Sequence, residues 1–460
     1  MGAMPAQLTI AGAAGGVTGS CYHLAFDGTA IVIDCGTFQG GREAEALNRR
    51  PFPFDPARVD ALFLTHGHLD HAGRVPLLVA QGFSGPIHGT PATLEIGSLI
   101  MEDTVKIAAH AEGPPLYDAA ALGATRERLR PLRGYRAPIT VGAFTIEAFD
   151  AGHILGSSHL RVSWRDGGAE RALLFSGDVG VCGTPIIRDP TLAWDPALAV
   201  DYVITESTYG DRAHPDRGAA KALFREVVAR AIGDGGKVLI PAFAIGRTQE
   251  ILYELDQLIG QGALPAVPVV IDGPLSATAT QLYARYRGLY DEDALAALAR
   301  GDHPLELDSL TVGRDGRAAA AISDRDGPAI IIAGSGMCNG GRIRGHLARH
   351  LPDARTDVLL VGYQGARTLG RALEDGAREV WIDGRSVAVQ GRVTRLSGYS
   401  AHADRDGLAA WFAAVPRRGA ATAIITHGED EARASYAALV ADRFGAATIV
   451  PALDQTIALP

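Results

Sequence analysis

The chain has 460 residues, too many for one small core and well suited to two domains of ordinary size. Apolar residues make up 47% and charged residues 21%, and the 56 glycines follow no repeat period, which excludes wholesale disorder and collagen-like or low-complexity sequence. The net charge of -9 lacks the basic balance of a general nucleic-acid binder, although a bound cation or a local basic groove would escape that count.

The four cysteines, Cys21, Cys35, Cys182 and Cys338, form no C-x-x-C pair, so neither a zinc ribbon nor a disulfide framework is indicated. No leader pattern opens the chain and no run of about 18 apolar residues appears, so a cytoplasmic protein without membrane contact is expected. Strands are predicted at Leu8–Ile10, Cys21–Phe26, Ala30–Asp34 and Val59–Leu64, apolar or alternating runs bounded by Gly, Asp and Pro. Helices follow at Gly73–Gln81 and from Pro91 to about His110, then strands at Phe144–Ala151, Ser158–Trp164, Ala172–Phe175 and Tyr202–Thr205. After Gly210 helix and buried strand alternate: Gly218–Ile232, Lys237–Ile240, Arg247–Ile259, Val269–Asp272, Ser276–Arg287 and Ala329–Ala333. That alternation is the mark of an α/β domain with a parallel sheet and crossover helices. A helix at Asp404–Ala414 with Asp404 in its first turn, a strand at Ala423–Thr426 and a helix at Glu429–Arg443 resemble the first region again. Both chain ends then build one domain, 1–207 with 390–460, around an inserted domain, 208–389.

The apolar run ending at Leu64 and Thr65 opens into His66-Gly67-His68-Leu69-Asp70-His71. Three imidazoles and a carboxylate within six residues, held at a strand end, supply donors suited to zinc. His66 and His68 can reach one ion, and Asp70 and His71 a neighbour. Six residues cannot complete two coordination spheres. His153, Asp178 and His427 each stand just past a predicted strand, as His66 does, and are the candidates to complete them. Singly each is more often a hydrogen-bonded turn residue; their occurrence together with the first run raises them.

Leu64–His71 with His153 and Asp178 resembles the metallo-β-lactamase superfamily, a four-layer αβ/βα sandwich. The remainder resembles its β-CASP branch, which cleaves nucleic acids. Glu206 in Thr205-Glu206-Ser207-Thr208-Tyr209-Gly210 is similar to motif A, His402 in Gly398–Asp404 to motif B, and His427 to motif C. Pro241–Arg247 and Gly334-Ser335-Gly336-Met337 resemble segments of the inserted domain. The likeness runs nearly end to end, in the family's order.

The resemblance implies two zinc ions per chain. His66, His68 and His153 would hold one, Asp70, His71 and His427 the other, and Asp178 would bridge them. Asp34 would orient ligands from behind, or else simply cap its strand. A hydroxide shared by the two metals would attack the phosphodiester while Asp70 orients it. His402, oriented by Glu206, would protonate the leaving oxygen. Glu206 as a turn cap and His402 as a helix-entry histidine are the plainer alternatives. His159, inside a predicted strand, reads as structural or as an orienting residue, and His23, His88, His110, His214, His303, His346 and His350 match no family position.

Ser335 and Gly336, with Ser400 and Ala401, are candidate phosphate contacts through backbone N–H groups, or are tight turns without a ligand. Arg342, Arg344 and Arg349 either line a nucleic-acid groove or form a solvated face. The expected activity is endonucleolytic cleavage of single-stranded RNA, with RNA inferred from the histidine at motif C. The alternatives are a 5′–3′ exoribonuclease, a glyoxalase II-type thioesterase and a non-catalytic RNA-binding platform. Sequence preference, physiological RNA and oligomeric state are not legible.

Overall fold

The computed structural model describes residues 4–110, 113–313, 316–365 and 367–460. The chain divides into two compact units, Met1–Ala213 with His402–Pro460, and His214–Ala401.

The first unit is built on two seven-stranded sheets. In one, Thr456–Leu459, Ala6–Ile10, Tyr22–Phe26 and Thr29–Ile33 run antiparallel in that order, and Ala61–Phe63, Ile87–Gly89 and Leu129–Pro131 continue in parallel. In the other, Ala447–Ile449, Arg417–Ile425, Val200–Thr205 and Ala169–Phe175 are parallel, and Ser158–Asp166, Phe144–Asp150 and Ile139–Val141 complete it antiparallel.

Side chains along a strand alternate between faces, and these strands are apolar on both because both are covered. Ile31, Ile33 and Phe63 of the first sheet pack on Leu173, Phe175 and Ile204 of the second, forming the core between them. The residues in between point outward. Val32 and Leu62 meet Val75, Leu78 and Met101 of the helices Val75–Ala80 and Pro91–Ala108. Ala172, Leu174 and Val203 meet Leu408, Trp411 and Val440 of the helices Arg405–Ala414 and Asp430–Phe444. Helix, sheet, sheet, helix is the four-layer αβ/βα sandwich. The chain's last strand pairs with its first, and Arg417–Ile425 pairs with Val200–Thr205, so the two ends share one body.

The second unit holds a six-stranded, all-parallel sheet: Leu310–Gly313, Val269–Asp272, Ala329–Ala333, Lys237–Pro241, Asp357–Leu360 and Arg392–Arg395. The last strand moves the return boundary. Arg392–Arg395 pairs with Asp357–Leu360, so the second unit runs through Ala401, whereas the sequence reading ended it at Val389. That strand is short and mostly polar and carries no apolar signal. Helix starts also shift by a residue or two. Asp404 is the N-cap of Arg405–Ala414, its carboxylate accepting from Gly407 N–H, and the helix expected from Gly73 begins at Val75. Among the described residues no helix is long and apolar enough to cross a membrane.

Candidate metal centre

The site begins where Ala61–Phe63 ends. Leu64 N–H still reaches His88 O, but Thr65 N–H turns to the Asp34 carboxylate, at 2.8 Å. That change of partner ends the ladder and releases His66 into the loop. Gly67 is required there, because a Cβ would lie 2.6 Å from Ile96 Cγ2 and 2.8 Å from Gly97 N on the helix behind. His68 then stands at the N-cap position of the short helix Leu69–Ala72, which carries Asp70 and His71.

Two groups of donors result, and Asp178 lies between them. In the first, His68 Nδ1 lies 3.1 Å from His66 Nε2 and 3.2 Å from His153 Nε2. Asp178 Oδ2 lies 3.4 Å from both of those Nε2 atoms. In the second, His71 Nε2 lies 3.3 Å from His427 Nε2. Asp178 Oδ1 lies 3.2 Å from the former and 3.6 Å from the latter, and Asp70 Oδ2 lies 3.7 Å from His427 Nε2. Donors about 2.0–2.1 Å from one zinc ion at tetrahedral angles lie about 3.3–3.4 Å apart, so this donor set fits zinc. Among the described residues Asp178 Oδ1 is also buried without a hydrogen-bond partner, the kind of atom an ion would satisfy. Its two oxygens face different groups, as a bridging carboxylate requires.

The electrostatics divide the imidazoles: against burial, Asp178 and Asp34 hold His71 well above its usual range and Asp178 and Asp70 raise His427. Burial alone would raise the Asp178 carboxyl, but His427, His71 and His66 hold it well below the usual range. Burial likewise opposes ionisation of Asp70, yet its contact with His427 and the nearby His71 bring it to about 2. Burial drives His66 and His68 down, toward the neutral imidazole that a metal needs. Asp34 Oδ2 lies 2.8 Å from His71 Nδ1, so it takes the proton there and leaves Nε2 to the centre.

Glu206 and His402 stand beside this set. His402 Nδ1 lies 3.1 Å from Glu206 Oε2 and 3.3 Å from Oε1. Burial opposes the imidazolium, but Glu206 and Asp178 outweigh it and push His402 up to about 9. Asp178, Glu206 and His402 form a third cluster compatible with a metal. The Glu206 carboxylate is already engaged, accepting from Val179 N–H at 2.5 Å and from Thr208 O–H at 2.6 Å, which favours an oriented acid over a third ion.

All the expected donors therefore converge within the first unit, with Asp34, Glu206 and His402 around them. Ser335 and Gly336 belong to the second unit, in the turn after Ala329–Ala333, where Gly336 lies under the Phe243 ring. Ser400 and Ala401 close that unit and are half-buried. His159 takes no part in the donor groups: its Nδ1 donates to Ser176 O at 2.5 Å and its Nε2 accepts from Trp411 Nε1–H at 2.9 Å. Arg342, Arg344 and Arg349 each pair with a carboxylate, on Asp272, Asp383 and Asp324. Sequence reasoning missed Thr65 and Thr208, whose hydroxyls touch His66 and His427.

Known proteins agree with this architecture. Residues 14–242 match the metallo-beta-lactamase superfamily, 248–373 the Beta-Casp domain, and 386–451 the Zn-dependent metallo-hydrolase RNA specificity domain. The chain is 38% identical over 432 residues to Ribonuclease TTHA0252 of Thermus thermophilus, covering 94% of this chain and 95% of that one. It is 30% identical over 454 residues to Transcription termination factor FttA of Methanosarcina mazei, covering 94% and 68%. A solved structure of a protein of unknown function from Enterococcus faecalis V583 shares the fold, with TM-score 0.58 and 14% identity over 99% of this chain and 100% of that one. This chain thus belongs to the metallo-β-lactamase superfamily, in the branch with a β-CASP and an RNA specificity domain, and is a metallo-hydrolase.

Proposed function

We propose that the protein is a two-zinc endoribonuclease acting on single-stranded RNA. The observation that carries this reading is the pair of donor groups joined by Asp178, with His402 held against Glu206 beside them. The name of the Thermus relative and the RNA specificity match support RNA as substrate. They also set aside the thioesterase alternative, which needs neither a β-CASP domain nor an acid pair.

In this reading His66, His68 and His153 would hold one zinc, Asp70, His71 and His427 the other, and Asp178 would serve both. When bound, the ions supply Lewis acidity that lowers the pKa of a water and offsets charge on the phosphoryl oxygens. Asp70 orients the attacking water. Asp34 holds His71 as the Nδ1–H tautomer. Glu206 does the same for His402, so Nε2 is the nitrogen that delivers a proton to the departing sugar oxygen. Glu206, outside the two donor groups, would be the carboxylate that keeps His402 charged. Ser335, Gly336, Ser400 and Ala401 are the proposed phosphate contacts.

The test uses single-stranded RNA labelled at the 5′ or the 3′ end, with wild type, Asp178→Ala and His402→Ala. Internal fragments from wild type and little product from either variant support the proposal. Mononucleotides released only from the 5′ end make the enzyme a 5′–3′ exonuclease. Equal cleavage by all three proteins removes the site assignment.

A further inference from the structure

The two histidines of the second donor group are held from behind in different ways. His71 Nδ1 meets a carboxylate directly, on Asp34. His427 Nδ1 meets a neutral hydroxyl, Thr208 Oγ1, at 3.1 Å. The same oxygen lies 2.6 Å from Glu206 Oε2, which in turn lies 3.1 Å from His402 Nδ1. A hydroxyl has one proton and two lone pairs. A 2.6 Å contact to a carboxylate is a charge-assisted O–H···O bond, so the Thr208 proton points at Glu206. Its oxygen is left to accept, and the available donor is His427 Nδ1–H. That fixes the tautomer with Nε2 bare, and Nε2 is the atom facing His71 Nε2 and Asp178 Oδ1.

The backbone supports the same arrangement. His427 has φ 49°, in the left-handed region, and its N–H is bound to Ala13 O at 2.8 Å while its carbonyl accepts from Ser207 N–H at 3.0 Å. Thr208 follows Ser207, so the contact that fixes His427 also brings the hydroxyl to its ring.

We infer that Thr208 is a positioning residue that makes Glu206 serve both halves of the site: it relays the carboxylate to the candidate metal ligand His427 while Glu206 itself holds His402. Asp34 does for His71 in one step what Glu206 does for His427 in two. The inference rests on the two-zinc reading above.

The experiment measures zinc binding to wild type, Thr208→Val and Thr208→Ser by competition against a chromophoric chelator. Urea unfolding of the zinc-free forms is followed alongside. Valine keeps the shape and removes the hydroxyl; serine restores it. Loss of a residue that orients a ligand lowers metal affinity by about 10–100-fold. One of the two ions is therefore expected to bind about tenfold or more weakly in Thr208→Val, with Thr208→Ser close to wild type. If valine prevents folding, Thr208→Ala, which adds no bulk, carries the same expectation. Wild-type affinity for both ions in a folded variant without the hydroxyl overturns the relay, even if its urea stability falls, because a turn-capping threonine alone would behave in that way. Fewer than two zinc ions on wild type instead removes the two-zinc reading on which the relay rests.

Discussion

Replacing Asp34 by asparagine changes one atom's chemistry and nothing of its size. The carboxylate is fully buried and accepts three hydrogen bonds: Oδ1 from Thr65 N–H at 2.8 Å, Oδ2 from Thr65 O–H at 2.7 Å and from His71 Nδ1–H at 2.8 Å. Burial raises its pKa, while His71 and Thr65 pull it back. An asparagine can keep its oxygen on Thr65 N–H, which sets its amide nitrogen against the other two groups. The Thr65 hydroxyl can rotate and accept. His71 Nδ1 can accept only as a bare nitrogen, and its proton then sits on Nε2, 3.2 Å from Asp178 Oδ1. That nitrogen cannot hold both a proton and a metal. Flipping the amide only moves the conflict to Thr65 N–H. Orienting partners of this kind are worth about 10–100-fold in metal affinity, or about 1.4–2.7 kcal/mol. Zinc affinity of Asp34→Asn, measured against a competing chelator on protein shown to be folded, is expected to fall by that factor at one ion. Two ions bound with wild-type affinity would refute the argument that Asp34 sets the His71 tautomer.

Three other outcomes follow from the same geometry. Gly67→Ala drives a Cβ against Ile96 and Gly97, and overpacking of this kind costs about 1–3 kcal/mol in urea unfolding; unchanged stability would contradict the close approach. His402→Ala is expected to retain both zinc ions while cleavage falls by about 10²–10⁴-fold, since the group lost is an acid and not a ligand; lost zinc, by elemental analysis, would make it a ligand. His159 is fully buried, and burial lowers its pKa from 6.5 to about 4. Between those values the unfolded chain binds a proton that the folded chain does not. Stability from this group is therefore complete above about pH 6.5 and is lost as pH falls toward 4, by about 3 kcal/mol. In chelator-treated protein His159→Gln should lose correspondingly less stability than wild type over that window, and parallel curves would contradict the assignment.

The parts of the site that were legible in the sequence share one property: several donors close together, or a donor just past an apolar strand. His66 to His71 is unmistakable because four donors fall in six residues. His153, Asp178 and His427 follow strands whose alternating faces are both covered, so their ends were readable as apolar runs. Asp34 was visible as a strand-end acid but equally as a cap; only the 2.8 Å contact with His71 tells the two apart. Thr65 and Thr208 act through one hydroxyl each, and a threonine beside a histidine or a glutamate carries no spacing signal. The same holds for secondary structure. Arg392–Arg395 is a short polar strand at the edge of the parallel sheet, held by its backbone pairing rather than by an apolar face, which is why the boundary moved to Ala401. Ile87–Gly89 and Leu129–Pro131 were missed because three residues are too few to show a period.

Asp178 is one carboxylate whose two oxygens face two different donor groups. Zinc per chain and cleavage of internally labelled single-stranded RNA, measured on the same samples of wild type and Asp178→Asn, test its bridging role most directly. Wild type is expected to hold two zinc ions and to cleave internally, and the folded variant to hold fewer ions with cleavage largely lost. Full zinc content and undiminished cleavage in Asp178→Asn would contradict it.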